Sequence, residues 1–181
     1  MLQLAVPLGP EEWDEGKQEF VIPKCQTLQL EHSLVSLSKW ESKWCKPFLS
    51  KTDKTDEEIL DYIKCMTITQ NVKPEIYDMF TSDNYRRVNE YINAPMTATT
   101  FSDSKPQKGK QEIITSEVIY GWMVALQIPP EYAKWHLNRL LTLIRVCNIN
   151  NTPPKKKSKR DTANRYAAMN AARRKQMNSR G

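Results

Sequence analysis

The last 30 residues of this chain are too highly charged to join a hydrophobic core, so the core must lie in the residues before them. Residues 152–181 contain ten Lys or Arg and a single acid, Asp161, which gives this segment a net charge of +9. The whole chain of 181 residues carries +6, so residues 1–151 carry −3. Charged side chains are almost never fully buried without partners. We therefore expect a folded body followed by a strongly basic tail.

The composition of the chain favours helices. Only five glycines are present, which disfavours all-β folds rich in tight turns. The apolar fraction of 39% is enough for one core. We predict a mainly α fold, a small helical domain with a short N-terminal β element and a basic C-terminal tail that is helical or disordered. The predicted boundaries are 1–32 for the extended or strand segment, 33–151 for the helical body and 152–181 for the tail.

The N-terminal segment is predicted to be weakly structured or strand-like. Pro7, Pro10 and Pro23 interrupt residues 1–24, and proline is poorly tolerated inside helices. Apolar and polar residues alternate over residues 26–31, which is typical of a short strand. The segment also carries an acidic patch, formed by Glu11, Glu12, Asp14 and Glu15.

Capping signals and apolar periodicity predict the helices of the body. Thr55 and Glu58 match a capping box, in which each side chain accepts the backbone N–H of the other residue. Ser33 is a second predicted cap, and Pro47 ends the helix that follows it. Behind the capping box, the predicted apolar stripe consists of Ile59, Tyr62, Ile63 and Met66. The other predicted helices span 73–80, 83–93 with Ser82 as cap, 112–127 with Gly121 as a close-packing position, 130–147 and 162–178 with Asp161 as cap; residues 94–110 are predicted to be a loop.

No pattern in the sequence indicates catalysis, a metal or a cofactor. The two histidines, His32 and His136, lie in distant segments, whereas zinc sites use about four ligands with local pairs. The sequence contains no G-x-S-x-G nucleophile motif and no glycine-rich phosphate loop. We therefore expect a protein that is not an enzyme and that needs no cofactor.

The cysteines and the apolar runs predict an intracellular protein. Nothing near Met1 resembles a signal peptide, and none of the four cysteines forms a C-x-x-C pair. We expect all four to be reduced thiols in a cytosol. No apolar run approaches the ~18–20 residues that a membrane span requires, so no membrane partner is predicted.

The basic tail is the first candidate binding site. Five of the six residues 155–160 are basic, and such a run binds phosphates with an affinity that depends strongly on salt. An acidic protein surface is an equally suitable partner, and a solvated tail that only maintains solubility is the third alternative. The candidate residues are Lys155, Lys156, Lys157, Lys159, Arg160, Arg165, Arg173, Arg174 and Lys175.

Two tryptophans form a second, weaker candidate. Trp40 and Trp44 lie on one helical stripe, where core packing is the default for such large side chains. The alternative is a partly exposed partner face, which these tryptophans would share with the neighbouring Lys39, Lys43 and Lys46.

Four stretches resemble proteins of one kind of virus. They are LEHSLVSLSKWESKW at 30–44, APMTATT at 94–100, WHLNRLLTLIRVC at 135–147 and NAARRK at 170–175. Together they resemble morphogenesis proteins of long-tailed bacteriophages, and in particular tail assembly chaperones. The resemblance spans about residues 26–181 and includes no catalytic motif.

This resemblance implies a helical protein of the host cytoplasm that binds the tape measure protein and helps tail tube subunits to polymerise around it. Such proteins are often made in a short form and a frameshift-extended form. One alternative is a structural virion component, such as a head–tail connector or minor capsid protein, whose basic tail contacts DNA or a neighbouring subunit. A DNA-binding regulator that uses the same tail is the other alternative.

Overall fold

The computed structural model confirms a mainly helical fold with a short N-terminal β element. It describes residues 1–9, 12–21, 24–101, 113–151 and 159–177. The chain divides into two compact units, Met1–Asn148 and Ile149–Gly181. None of the helices within the described ranges combines the length and the apolar content that crossing a bilayer requires.

The first unit contains all the strands and most of the helices that the structure describes. The strands are β1 (Leu2–Pro7), β2 (Glu12–Asp14), β3 (Glu19–Val21) and β4 (Cys25–Leu30). The helices of both units are α1 (Leu34–Trp44), α2 (Asp56–Met66), α3 (Glu75–Asp78), α4 (Ser82–Asn93), α5 (Ser116–Ala125), α6 (Leu137–Asn151) and α7 (Lys159–Met177), with a 3-10 helix at Pro130–Lys134. Of these, α7 and the last three residues of α6 belong to the second unit.

The N-terminal segment forms two nested antiparallel ribbons. β1 pairs with β4, and this register places Leu4 opposite Leu28. Both side chains are fully buried, so one face of the ribbon covers the helical core, as the alternation of residues 26–31 predicts. Between β1 and β4 in sequence, β2 pairs with β3. We call this second ribbon, residues 12–21, the arm.

Local capping explains where α1, α2 and α4 begin. The predicted capping box is confirmed at α2, where the Thr55 hydroxyl accepts the Glu58 N–H at 3.2 Å and the Glu58 carboxylate accepts the Thr55 N–H at 2.9 Å. Ser33 caps α1, also as predicted. At α4 the cap is Thr81 and not Ser82, because the Thr81 hydroxyl accepts the N–H of Asn84.

The predicted helix 130–147 is wrong in its first part. A 3-10 helix ends at Lys134, Trp135 is extended, and α6 begins only at Leu137. The cause is a distant pairing: His136 forms an antiparallel β-bridge with Ser33, and the N–H of Leu137 donates to the His32 carbonyl at 2.7 Å. Because these partners are about a hundred residues away, helical periodicity alone does not reveal the break.

One five-residue segment connects most parts of this unit. We call residues 29–33 the junction, since they continue β4 towards α1. The Glu31 N–H donates to the Met66 carbonyl at 2.9 Å, and the Ile68 N–H donates to the Gln29 carbonyl at 2.8 Å. Leu30 of the junction belongs to the core, whose fully buried members also include Leu4, Leu28, Leu34, Leu37, Ile119, Leu137 and Leu140.

A buried carboxylate fastens α5 to α1. Glu41 accepts the N–H of Phe48 at 2.8 Å and the N–H of Ser116 at 2.7 Å. Ser116 is the first residue of α5, whose N-cap Thr115 makes no side-chain capping bond. Glu41 therefore caps α5 from a distance and also fixes the loop that follows α1.

Gly121 is not a close-packing position within this unit. It is exposed on α5, and a Cβ built at this position would meet nothing within 4 Å. Glycine inside a helix costs about 1 kcal/mol relative to alanine, and no contact inside the described body compensates for that cost.

Replacing Glu41 by alanine should lower the free energy of unfolding by about 2 to 4 kcal/mol, because two backbone N–H groups lose their acceptor. Glu41→Gln should fall between wild type and alanine, since the amide keeps one oxygen acceptor. Urea denaturation measures the difference. Lys39→Ala, an exposed change on the same helix, is the control and should stay within about 0.5 kcal/mol. An alanine variant as stable as this control would contradict the capping role.

Gly121→Ala should raise the free energy of unfolding by about 0.5 to 1 kcal/mol, because the new methyl group meets open space and the helix gains propensity. Thermal unfolding followed by circular dichroism measures the change. Destabilisation would show that α5 packs more tightly at this position than the structure has it.

Candidate functional site

The arm exposes an aromatic pair to solvent. The register of β2 and β3 places Trp13 directly opposite Phe20, with their ring centroids 5.0 Å apart in an edge-to-face arrangement. Cross-strand aromatic pairs stabilise a ribbon, so the pair helps to hold the arm together. However, Trp13 remains 52% exposed and Phe20 65% exposed. Two large aromatic side chains half in water on a narrow ribbon form a surface suited to a protein partner.

The arm is also acidic. Residues 12–21 contain four acids and one base, which gives a net charge of −3. Glu15 and Glu19 are exposed carboxylates of the arm, and a cationic partner would meet complementary charge there. The arm therefore combines an apolar surface with an excess of negative charge.

A second apolar surface lies beside the end of β1. Leu8 follows β1, and its N–H donates to the Lys24 carbonyl at 2.9 Å, which extends the first ribbon. Leu8 and Met79 are both exposed, and together with Ile76 they line an open groove of about 530 Å³. Lys73 and Glu75 also line it. A partner lying along the arm would find a second apolar anchor in this groove.

Sequence patterns predict the acidic patch but miss the aromatic pair. The patch residues Glu12, Asp14 and Glu15 lie in the arm, whereas Glu11 lies outside the described residues. The sequence does contain a signal for this pair, because Trp13 and Phe20 flank a short stretch that contains Gly16. The signal is useful only once that stretch is known to be the turn of a hairpin. The turn has no Asn-Gly or Asp-Gly pair, which are the usual marks of a hairpin turn.

The structure places the predicted tail residues in two groups. Lys155, Lys156 and Lys157 lie outside the described residues. The others belong to α7, which begins at Lys159 instead of residue 162, so Asp161 lies inside the first turn and is not the residue before the helix. The tail residues on α7 are Lys159, Arg160, Arg165, Arg173, Arg174 and Lys175, the last four of which are exposed.

One face of α7 mixes apolar and basic side chains. Tyr166, Met169, Arg173 and Met177 follow one another at spacings that bring them to the same side of a helix. Tyr166, Met169 and Met177 are all exposed. Indeed every residue from 163 to 177 is exposed. This face offers an apolar stripe with a guanidinium inside it.

Of the two tryptophans predicted as a partner face, only Trp44 reaches the surface, and it does so in part. Trp40 is 1% exposed, and its indole N–H donates to the Glu58 carbonyl at 2.8 Å. It is therefore a core residue, and the prediction of a partner face is wrong for it. Trp44 is half-buried, and its indole N–H donates to the Asp61 carboxylate at 2.9 Å. Lys43 salt-bridges Asp61 beside it, so this indole is already held by its own fold.

The two histidines, distant in sequence, lie together in the body. His32 and His136 have ring centroids 5.2 Å apart, because the bridge between Ser33 and His136 brings their segments together. His32 Nδ1 lies 2.6 Å from the Tyr62 hydroxyl, and His136 Nε2 lies 3.0 Å from the Tyr91 carbonyl oxygen. Both imidazoles are buried, so they hold the body together and are not open to a substrate.

Burial controls the charge state of this pair. It lowers the pKa of His32 to about 4, with a further contribution from the neighbouring His136. Burial likewise lowers the pKa of His136. Both imidazoles are therefore neutral at pH 7. Within the described ranges, no group of three or more His, Cys, Asp or Glu side chains could hold a metal ion.

No family model, curated protein or solved structure matches this chain. The resemblance to tail assembly chaperones, carried by residues 30–44, 94–100, 135–147 and 170–175, stays a prediction, since no match tests it. The arm and the exposed face of α7 are the candidate binding surfaces that the described residues provide.

The stability of the body should fall as the pH drops from 6.5 towards 4. The pKa of His32 is about 4 in the folded chain against 6.5 for an ordinary histidine, so the unfolded chain binds a proton that the folded chain does not. The stabilisation is complete above pH 6.5 and is lost as the pH falls, by about 3 kcal/mol from His32.

His32→Asn removes the titrating group and keeps a polar atom near the Tyr62 hydroxyl. Its unfolding free energy should therefore change less than that of wild type between pH 6.5 and 4, as measured by urea denaturation at several pH values. Carboxylates titrate in both proteins, so the difference between their unfolding free energies at each pH gives the contribution of His32 alone. Parallel pH curves for the two proteins would contradict this account.

Proposed function

We propose that this chain is a morphogenesis protein of long-tailed bacteriophages that acts by protein–protein contact. Its task is that of a tail assembly chaperone, which holds the tape measure protein until tail tube subunits surround it. The resemblance of four stretches supports the phage assignment, and the arm supports the mode of action. The observation that carries the proposal is the exposed aromatic pair of Trp13 and Phe20.

The arm is suited to covering an apolar stripe on a helical partner. Partly exposed aromatic side chains are common anchor residues in protein interfaces. Trp13 and Phe20 present such a surface, and the groove lined by Leu8 and Met79 offers a second apolar surface. A partner helix laid along this surface would shield its own apolar stripe from water, which is what a chaperone for an elongated helical protein must do.

The size of the surface points to reversible binding. Burying the exposed halves of two aromatic side chains is worth about 5 kcal/mol at 25 cal/mol per Å². Association itself costs at least about 4 kcal/mol in lost translational and rotational freedom. One arm alone therefore binds weakly, and several copies along one tape measure protein would be needed to keep it covered. Weak individual contacts also allow tail tube subunits to replace the chaperone.

The double variant Trp13→Ser/Phe20→Ser should lose binding of the tape measure protein while the body stays folded, because both side chains are exposed on the arm. The arm itself loses the cross-strand pair that helps to hold it together. Co-expression with the phage's tape measure protein is the test. Wild type should keep the tape measure protein soluble and co-purify with it, and the double variant should reduce co-purification at least about tenfold.

Val124→Ser is the matched control, since it removes an exposed apolar side chain from α5 and leaves the arm intact. It should behave like wild type. Equal co-purification by the arm variant and wild type would contradict the role of the arm. Mass spectrometry of purified virions tests the chaperone assignment separately: the chain should be missing from mature particles, and a stoichiometric amount would favour the structural virion component.

A further inference from the structure

We infer that the chain self-associates head to tail, with α7 of one copy docked on the arm of a second copy. This inference concerns the purified chain alone and does not rest on the phage assignment. Two independent properties of the surfaces carry it, their charge and their side-chain chemistry.

The two surfaces have opposite charge. Residues 12–21 of the arm carry −3, whereas residues 159–177 of α7 carry six bases and one acid, a net charge of +5. On the arm, the exposed carboxylates include Glu15 in the turn and Glu19 on β3. On α7, Arg165 and Arg174 are exposed. Opposite charges of this size raise the rate of encounter and select the orientation of binding.

The two surfaces also match in side-chain chemistry. The mixed face of α7 presents Tyr166, Met169 and Met177, and the arm presents Trp13 and Phe20. Methionine sulfur makes favourable contacts with aromatic rings. Arg173 lies within the apolar stripe of α7, where a guanidinium is placed to stack on an aromatic ring.

The chain already uses guanidinium–aromatic contacts within its body. The Arg139 guanidinium carbon lies 4.1 Å from the Trp135 ring centroid, and that of Arg145 lies 4.0 Å from the Phe101 ring centroid. The contact inferred between Arg173 and the arm is therefore of a type that this fold has elsewhere.

A second copy is the occupant because both surfaces are exposed in one copy and every copy carries both. The contact joins two different surfaces, so it leaves an arm and an α7 unused at the ends of each dimer. Further copies can add to these ends. Association of this kind grows with protein concentration and weakens with salt. A partner that binds the arm, such as the tape measure protein, would compete with it.

Sedimentation velocity on the full chain, after nuclease treatment, tests the inference with two charge-reversed variants. The arm variant is Glu15→Lys/Glu19→Lys, and the α7 variant is Arg165→Glu/Arg173→Glu/Arg174→Glu. All five positions are exposed, so circular dichroism and thermal unfolding should show an intact fold. The control is Lys39→Glu/Lys51→Glu/Lys134→Glu, which changes the net charge as much as the α7 variant does but at exposed positions of the body.

At about 50 mM salt, wild type and the control should associate increasingly with concentration, and raising the salt to about 500 mM should dissociate them. Each charge-reversed variant alone should associate at least about tenfold more weakly, because its arm and its α7 then carry charge of the same sign. An equimolar mixture of the two should associate again, because its arm and α7 charges are complementary.

Three results would overturn the inference. One is a wild-type chain that stays monomeric at every concentration, which would also be the result if α7 docked on its own arm. Another is association that neither charge-reversed variant weakens. The last is a mixture of the two folded variants that does not associate.

Discussion

The backbone of the junction, residues 29–33, is the element on which the rest of the body depends. It continues β4 into α1 and forms hydrogen bonds in three directions. Towards α2, the Glu31 N–H donates to the Met66 carbonyl; towards the segment after α2, the Gln29 carbonyl accepts from Ile68; towards α6, the His32 carbonyl accepts from Leu137. These bonds join parts of the chain that are far apart in sequence, so the junction determines where α6 can begin.

Burial around the junction gives these bonds their strength. His32 is surrounded by Tyr62 and His136, and the flanking residues Leu30 and Leu34 are fully buried. Buried backbone groups that lose their partners cost about 1 to 3 kcal/mol each. The contacts named here are made by residues of the body, so substitutions in the arm or in α7 should leave them intact.

The sequence predicts those features that depend on neighbouring residues. The capping box of Thr55 and Glu58 and the cap at Ser33 are confirmed because each involves residues within three positions. Features that depend on distant contacts could not be predicted. The break before α6 follows from the pairing of His136 with Ser33. Ile59, which the α2 stripe places inward, is exposed, since periodicity does not tell which neighbours cover a helix.

The candidate binding surfaces also have features that the sequence predicts and features that only the structure shows. Charge counting locates the acidic and basic segments without any structure, because net charge is additive along the chain. The pairing of Trp13 with Phe20 appears only when β2 and β3 are aligned. The indole N–H groups of Trp40 and Trp44 both donate to α2, but Trp40 is buried and Trp44 is only half-buried. Their common helical stripe does not indicate this difference.

The central claim is that contact between copies of the chain is confined to the arm and α7, while the junction keeps the body unchanged. Hydrogen exchange of the backbone amides, measured on dilute and concentrated samples of the full chain, tests it most directly. The account predicts slow exchange at Glu31, Ile68 and Leu137 in both samples, together with fast exchange in residues 12–21 and 163–177 of the dilute chain that slows when the chain is concentrated. Unchanged exchange in both segments, or slowing confined to the body, would contradict it.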